Sequence, residues 1–347
     1  MRPTLALRSL MSQASKKPPA TPRPSASILL VSPANHVLLL HRVHTSSSFP
    51  SAHVFPGGNL SAFHEGPLPG PGDPALHQDS EAYRAAGIRE CFEESGILLA
   101  RKPGDEALLN VPEDQIEIAR KEVHSGMIKF DHVLADWGAK ADTANLLPFT
   151  RWITPTNAPK RFTTQMYLYF MPLPSSKAET ESVRSLPVAS EAVIPIPKPD
   201  GGIEHTAARF LPPSTWLSQA QSGEIILFPP QFFLLHLVSR YLLPSSSPTQ
   251  PLSPKVLQQQ RDQLTSLVDQ GRWGEMCISP SMLAKRRSDG RVVLGLDKPG
   301  PELEGSGKRD VDDYVILVDF KKEGPRRVEV GLKKDVLEQE RKNTSNL

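Results

Sequence analysis

Cysteine is nearly missing from this chain. Its 347 residues include two, Cys91 and Cys277, which offer no zinc cluster and fit a reducing compartment. An excess of either charge is missing too. The 40 basic and 38 acidic side chains leave a net charge of +2, which argues against a nucleic-acid surface and against an acidic tail. No apolar run is long enough to cross a bilayer, so the sequence reads as a soluble protein with no membrane span. Acidic residues are absent from the start: the first is Glu65, while Arg2, Arg8, Lys16, Lys17 and Arg23 precede it among Ser, Leu and Ala.

Such a basic, Ser-rich, acid-free start resembles a mitochondrial transit peptide, which competes with a merely disordered tail. The C-terminal "TSNL" gives a second address. It is similar to the peroxisomal S-K-L signal, with Asn346 in place of the basic middle residue. The expected localisation is therefore the mitochondrion, with the peroxisome as alternative. Proline is abundant, at 35 residues. It gathers in "KKPPATPRP", "EGPLPGPGDP" and "LLPSSSPTQPLSP", which read as linkers or loops.

Between these loops the pattern alternates strands and helices. Residues 25–33 and 36–42 read as two strands joined by a turn at Pro33, Ala34 and Asn35. "AHVFPGG" is a short strand ending on Gly57 and Gly58. Residues 80–96 read as a helix capped by Asp79 or Ser80 and ended by Gly96. Residues 101–140 read as a charged helical insertion, and 173–200 as a Pro/Ser-rich loop. Strands are expected at 149–155 and 161–172, then a strand and a helix over 204–220, entered at Pro212 or Pro213. Helices follow over 229–243 and 255–270, then strands over 291–296, 313–320 and 326–332, the last two flanking a hairpin turn. "GSGKRD" (305–310) has a superficial likeness to a phosphate loop. It lacks the first glycine at the required spacing and the hydroxyl residue after Lys308, so it is rejected.

One segment carries chemistry. On a helix turning about 100° per residue, "IRECFEESG" puts Glu90, Glu93 and Glu94 on one narrow face and Ile88, Cys91 and Phe92 toward the other. Each close carboxylate pair repels by roughly 4 kcal/mol at an effective dielectric of 20. A solvated helix face tolerates this; a divalent cation reverses its sign. Hard cations such as Mg²⁺ take oxygen ligands and keep waters, leaving room for substrate phosphates.

A glycine pair after a strand, then Glu81, Arg89, Glu90, Glu93, Glu94, Gly96 and Ile97 in this order, resembles the Nudix box. The box reads glycine, then glutamate, then R-E-U-x-E-E-x-G-U with U apolar. Glu81 stands the family's seven residues before Arg89, but the family glycine six places before Glu81 would fall on Ala75. Gly57 and Gly58 stand in for the loop start, with "NLSAFHEGPLPGPGDPALHQDS" inserted before the helix. "PSAHVFPGG", "WITPTNAPKRFTTQMYLYF", "EHTAARFLPP" and "LFPPQFFLLHL" extend the likeness. They resemble segments of the acyl-coenzyme A diphosphatases of the Nudix motif 19 type, a peroxisomal and mitochondrial branch.

The resemblance implies an α/β protein with the Nudix fold: a mixed β-sheet between helices (α/β/α), with a C-terminal α+β extension. It implies a targeting or disordered segment over 1–25 and a Nudix domain over 26–245, with insertions near 59–79, 101–140 and 173–200. The extension covers 246–347. The implied cofactor is Mg²⁺ or Mn²⁺, held by Glu90, Glu93 and Glu94, with Glu90, Glu93 and Arg89 in catalysis and Arg89 orienting the carboxylates. Gly57, Gly58 and Arg161 would meet substrate, and Glu204 is a candidate accessory acid. The implied reaction splits coenzyme A or acyl-coenzyme A into 3′,5′-ADP and (acyl-)phosphopantetheine. The alternatives are another nucleoside diphosphate derivative (NADH, ADP-ribose) or a non-catalytic binding module. RNA decapping lacks its basic patch.

Overall fold

Strand β1 (Arg23–Val31) is buried along nearly its whole length, as a strand covered on both faces must be. Asn35, in the left-handed conformation at φ 58°, turns the chain into β2 (Val37–His41). A computed structural model describes residues 19–42, 51–173, 192–197, 203–247, 250–286 and 288–345, without the side chains of 192–197, 203–206 and 343–345. The two terminal address segments fall largely outside these residues.

The central sheet is mixed. β3 (His53–Val54) and β4 (Gly57–Asn59) pair with β2 and β1, and β5 (Ala100–Arg101) with β6 (Lys140–Ala141) forms a separate ribbon. β7 (Leu147–Ile153) pairs antiparallel with β8 (Phe162–Phe170), which runs parallel to β1 along all nine of its residues. β9 (Ala192–Pro197) and β10 (Ile203–Leu211) extend the sheet beyond β2. Part of the expected loop over 173–200 is thus a strand. β9 is last in the order, where proline removes no needed ladder donor.

Helices α1 (Ala62–Glu65), α2 (Glu81–Ser95), α3 (Glu113–His124) and α4 (Phe130–Asp136) precede β7 in the chain. Tyr83, Ile88, Cys91 and Phe92 of α2 pack on Ala26, Ile28, Leu30, Tyr167 and Tyr169, and α3 and α4 share that core. Burying Phe92 alone stabilises this layer by about 1.5–3 kcal/mol. The opposite sheet face, with Leu29, Val31 and Leu39, packs on α5 (Pro213–Ser222), α6 (Pro229–Val238) and α7 (Pro254–Gln270). The result is the α/β/α layering that the resemblance implies.

The C-terminal hundred residues do not stand apart from this core. β11 (Cys277–Ile278) joins the main sheet beside β7. A second sheet, β12 (Ser281–Lys285), β13 (Val292–Leu296), β14 (Val311–Lys321) and β15 (Gly324–Leu332), shares the apolar cluster beneath α6 and carries α8 (Lys333–Ser345). The buried Arg261 of α7 donates to Asn35 Oδ1 (2.8 Å), Ser32 O (2.9 Å) and Met171 O (2.8 Å). The position near 245 is a break in the pattern, while the packing runs through it. Among the described residues no helix is long and apolar enough to cross a membrane.

Candidate metal and catalytic site

α2 starts after Ser80 and ends at Gly96, whose φ of 71° is the left-handed stop that glycine takes without a Cβ penalty. Ser80 makes no side-chain cap. Asp79 is engaged elsewhere, with Arg84 (2.6 Å) and Tyr167 Oη (2.5 Å). The apolar residues face the sheet as the helical spacing requires, and Glu90, Glu93 and Glu94 share one region. That face is not solvated: Glu93 and Glu94 are 6% and 8% exposed, and Arg89 is 3% exposed. Their burial excludes the reading of a charged surface helix.

Each carboxylate is held. Arg89 Nη1 donates to Glu90 Oε1 (2.8 Å) and to Glu93 Oε1 (2.7 Å). Its Nε and Nη2 donate to Glu65 (2.7 and 3.3 Å), and Nη2 also donates to Asn59 O (3.0 Å). Outside the helix the carboxylate partner of Arg89 is Glu65, while Glu81 lies exposed in the first turn of α2. Glu65 in turn accepts from the backbone N–H of Ser61 (2.6 Å), which locks α1 onto the site. Glu65, within the segment 59–79 that reads as an insertion, is thereby brought to Arg89.

Glu93 Oε2 pairs with His124 Nδ1 (2.9 Å) at the end of α3. Glu94 accepts from Arg42 Nη2 (2.8 Å) and from Gly57 N–H (2.9 Å). Arg120 of α3, itself buried, donates to Phe92 O and Glu93 O (3.2 and 2.7 Å), answering carbonyls left open at the end of α2. The charged insertion over 101–140 thus buttresses the site.

Electrostatics separates the three acids. Burial opposes the charge on Glu93, but the His124 and Arg89 contacts outweigh it and hold its pKa below the usual carboxylate value. Burial raises Glu94, offset in part by Arg42 and the Gly57 N–H. Burial also raises Glu90, Arg89 counters it, and the negative charges of Glu93 and Glu94 push it further, to about 8. Glu90 Oε2 lies against Gly58: a Cβ there would sit 2.4 Å from it. Among the described residues no three acidic, imidazole or thiol groups already surround one point as a ligand set. The donors still suit a hard cation. They are carboxylate oxygens, Glu90 Oε2 accepts no hydrogen bond among the described residues, and the neighbouring Glu93 and Glu94 charges oppose ionisation of Glu90.

Gly58→Ala is expected to displace Glu90 and lower activity by about 100-fold, with stability changed by less than about 1 kcal/mol. Steady-state rates and a denaturation curve check both; an active Gly58→Ala protein would dissociate the glycine from the site.

The other expected residues are placed as follows. Gly57 and Gly58 abut Glu94 and Glu90. Arg161 stands away from the glutamates: it donates to Thr154 O, Ala20 O and Glu302 Oε1, and none of its hydrogen bonds reaches α2. Glu204 lies on β10 opposite Ile196, and its side chain is outside the described residues. Sequence reasoning missed Arg42, Glu65, Arg120 and His124. Only Glu65 left a signal, as the sole acid in the first 72 residues.

Residues 71–238 match the family model described as NUDT19 Nudix domain. The chain therefore carries a Nudix domain over these residues. That span holds all of α2 and its three glutamates, while Gly57, Gly58 and Glu65 precede it. The chain is also similar to "Putative nudix hydrolase 7" of Caenorhabditis elegans, 27% identical over 219 residues, 63% of this chain and 61% of that protein. It therefore spans about three-fifths of that relative's length. Among solved structures, a NUDIX hydrolase from Alicyclobacillus acidocaldarius aligns at 21% identity with a TM-score of 0.46, over 68% of this chain and 96% of that one.

Proposed function

We propose that this Nudix protein hydrolyses the diphosphate bond of coenzyme A or an acyl-coenzyme A, giving 3′,5′-ADP and (acyl-)phosphopantetheine. The observation that carries the chemistry is the Glu90 carboxylate, one oxygen bare against Gly58 and its ionisation opposed by the neighbouring Glu93 and Glu94 charges. The substrate rests on the match to the NUDT19 Nudix domain and on the branch segments that flank the box.

Glu90, Glu93 and Glu94 would hold Mg²⁺ or Mn²⁺. When bound, the cation neutralises diphosphate oxygens and activates a water. The chain's own part is positioning. His124 and Arg89 keep Glu93 ionised, Arg42 and the Gly57 N–H fix Glu94, and Arg89 spaces Glu90 from Glu93 through one shared nitrogen. Backbone at Gly57 and Gly58 gives close access to the carboxylates that side chains would block. A non-catalytic binding module fits less well, because all three acids are in place and supported.

The test is turnover of coenzyme A, acyl-coenzyme A, NADH and ADP-ribose with and without Mn²⁺, with product identification. Metal-dependent release of 3′,5′-ADP is expected. Turnover of NADH or ADP-ribose alone would retain the chemistry and move the substrate. No turnover of any of them would overturn the reading.

A further inference from the structure

Away from the α2 carboxylates, a second group of polar residues is buried without full partners. Arg151 of β7 is 3% exposed and Arg161 is 2% exposed. The Nη2 atom of each is buried and makes no hydrogen bond. Arg151 spends Nη1 on Thr163 Oγ1 (3.2 Å) and lies over the Tyr83 ring, 4.5 Å from its centroid. It has no carboxylate partner among the described residues. Arg161 has one, Glu302 at 2.5 Å. His77, also buried, shares Thr163 Oγ1 at 3.0 Å.

The same place collects a third cation. Arg309 bridges to Met276, and Cys277 pairs with Arg151, so the "GSGKRD" segment runs alongside β11 at this end of the sheet. Lys308 is exposed there and makes no ion pair among the described residues. Burial, then the positive charge of Arg151, depresses the His77 pKa; Glu302 opposes this, and Arg161 and Lys308 add to it. Asp79 does not help, being taken by Arg84 and Tyr167. Of these four charged groups acting on His77, three are cations and one is a carboxylate. A buried guanidinium with an unsatisfied N–H is costly, and its planar donors match a tetrahedral oxyanion.

We propose that Arg151, Arg161, Thr163 and Lys308 form a second oxyanion site, distinct from the α2 carboxylate face, that takes a phosphate monoester. Arg161 already donates to one oxyanion, the Glu302 carboxylate, and keeps its Nη2 buried and unpaired. The phosphate has two sources, free inorganic phosphate or a terminal phosphate on the substrate. The second source rests on the proposed function; the first does not.

Inorganic phosphate titrated into the full-length protein, with sodium chloride at matched ionic strength as control, is expected to raise the melting temperature saturably. Lys308→Ala, an exposed change that spares the fold, should weaken the half-saturating phosphate by about tenfold, and Arg151→Gln at least as much. A non-saturable response, or one unchanged in Lys308→Ala, overturns the site. The source is read from KM for coenzyme A against 3′-dephospho-coenzyme A. A preference that collapses in Lys308→Ala assigns the substrate's phosphate. A ratio unmoved by Lys308→Ala, with phosphate binding still lost, assigns free phosphate. Failure of coenzyme A turnover leaves the phosphate titration fully readable.

Discussion

Glu93→Gln is expected to lower the proposed diphosphate hydrolysis by about 100- to 1000-fold while the melting temperature stays within a few degrees of wild type. The amide is nearly isosteric with the carboxylate. It still accepts from Arg89 and can donate to His124 Nδ1 in the matching tautomer, so the packing around it persists. What is lost is the charge of the acid that its neighbours hold most firmly ionised. A cation that depends on this charge binds more weakly, and the effect falls on rate rather than on fold. Steady-state kinetics over a range of Mn²⁺ checks it. Activity within a few-fold of wild type would remove Glu93 from the cation site.

Arg89→Met produces the largest loss of stability, about 3–5 kcal/mol. One guanidinium serves Glu65, Glu90 and Glu93, whose side chains are 2%, 15% and 7% exposed, and it also serves Asn59 O. Its removal leaves three carboxylates without the cation they share. Methionine fills most of the volume, so the deficit measures charge rather than cavity. Arg89→Lys recovers only part of it, because a single ammonium cannot reach the same acceptors that the fork spans. Urea denaturation reads the difference. A midpoint matching wild type for Arg89→Met would mean that these carboxylates are neutral or hydrated instead.

The local half of this site is legible in the sequence, and the tertiary half is not. Helical spacing alone separates Ile88, Cys91 and Phe92 from the glutamates, and Gly96 marks the stop, because both depend on neighbours a few residues away. Glu65 reaches Arg89 across 24 residues that include a Pro/Gly-rich insertion, and no periodicity spans such a loop. Glu81, at the family spacing, lies exposed in the first turn of α2. His124 and Arg120 belong to a segment that reads as a charged helical insertion; their contacts to Glu93 appear only once α3 packs beside α2. The resemblance implies that Arg161 meets substrate. Its partner Glu302 is 141 residues away, in a C-terminal region whose strand β11 joins the main sheet. The strands show the same division. β1, β8 and β10 follow from apolar and β-branched runs, whereas β9 is hidden by its prolines and β11 is two residues long.

The account rests on a divalent cation held by the α2 carboxylates, and calorimetric titration of Mn²⁺ measures that directly. Saturable binding to the wild-type protein is expected, weakened at least about tenfold in Glu90→Gln and in Glu93→Gln. No saturable binding, or an isotherm identical in wild type and both variants, would contradict it.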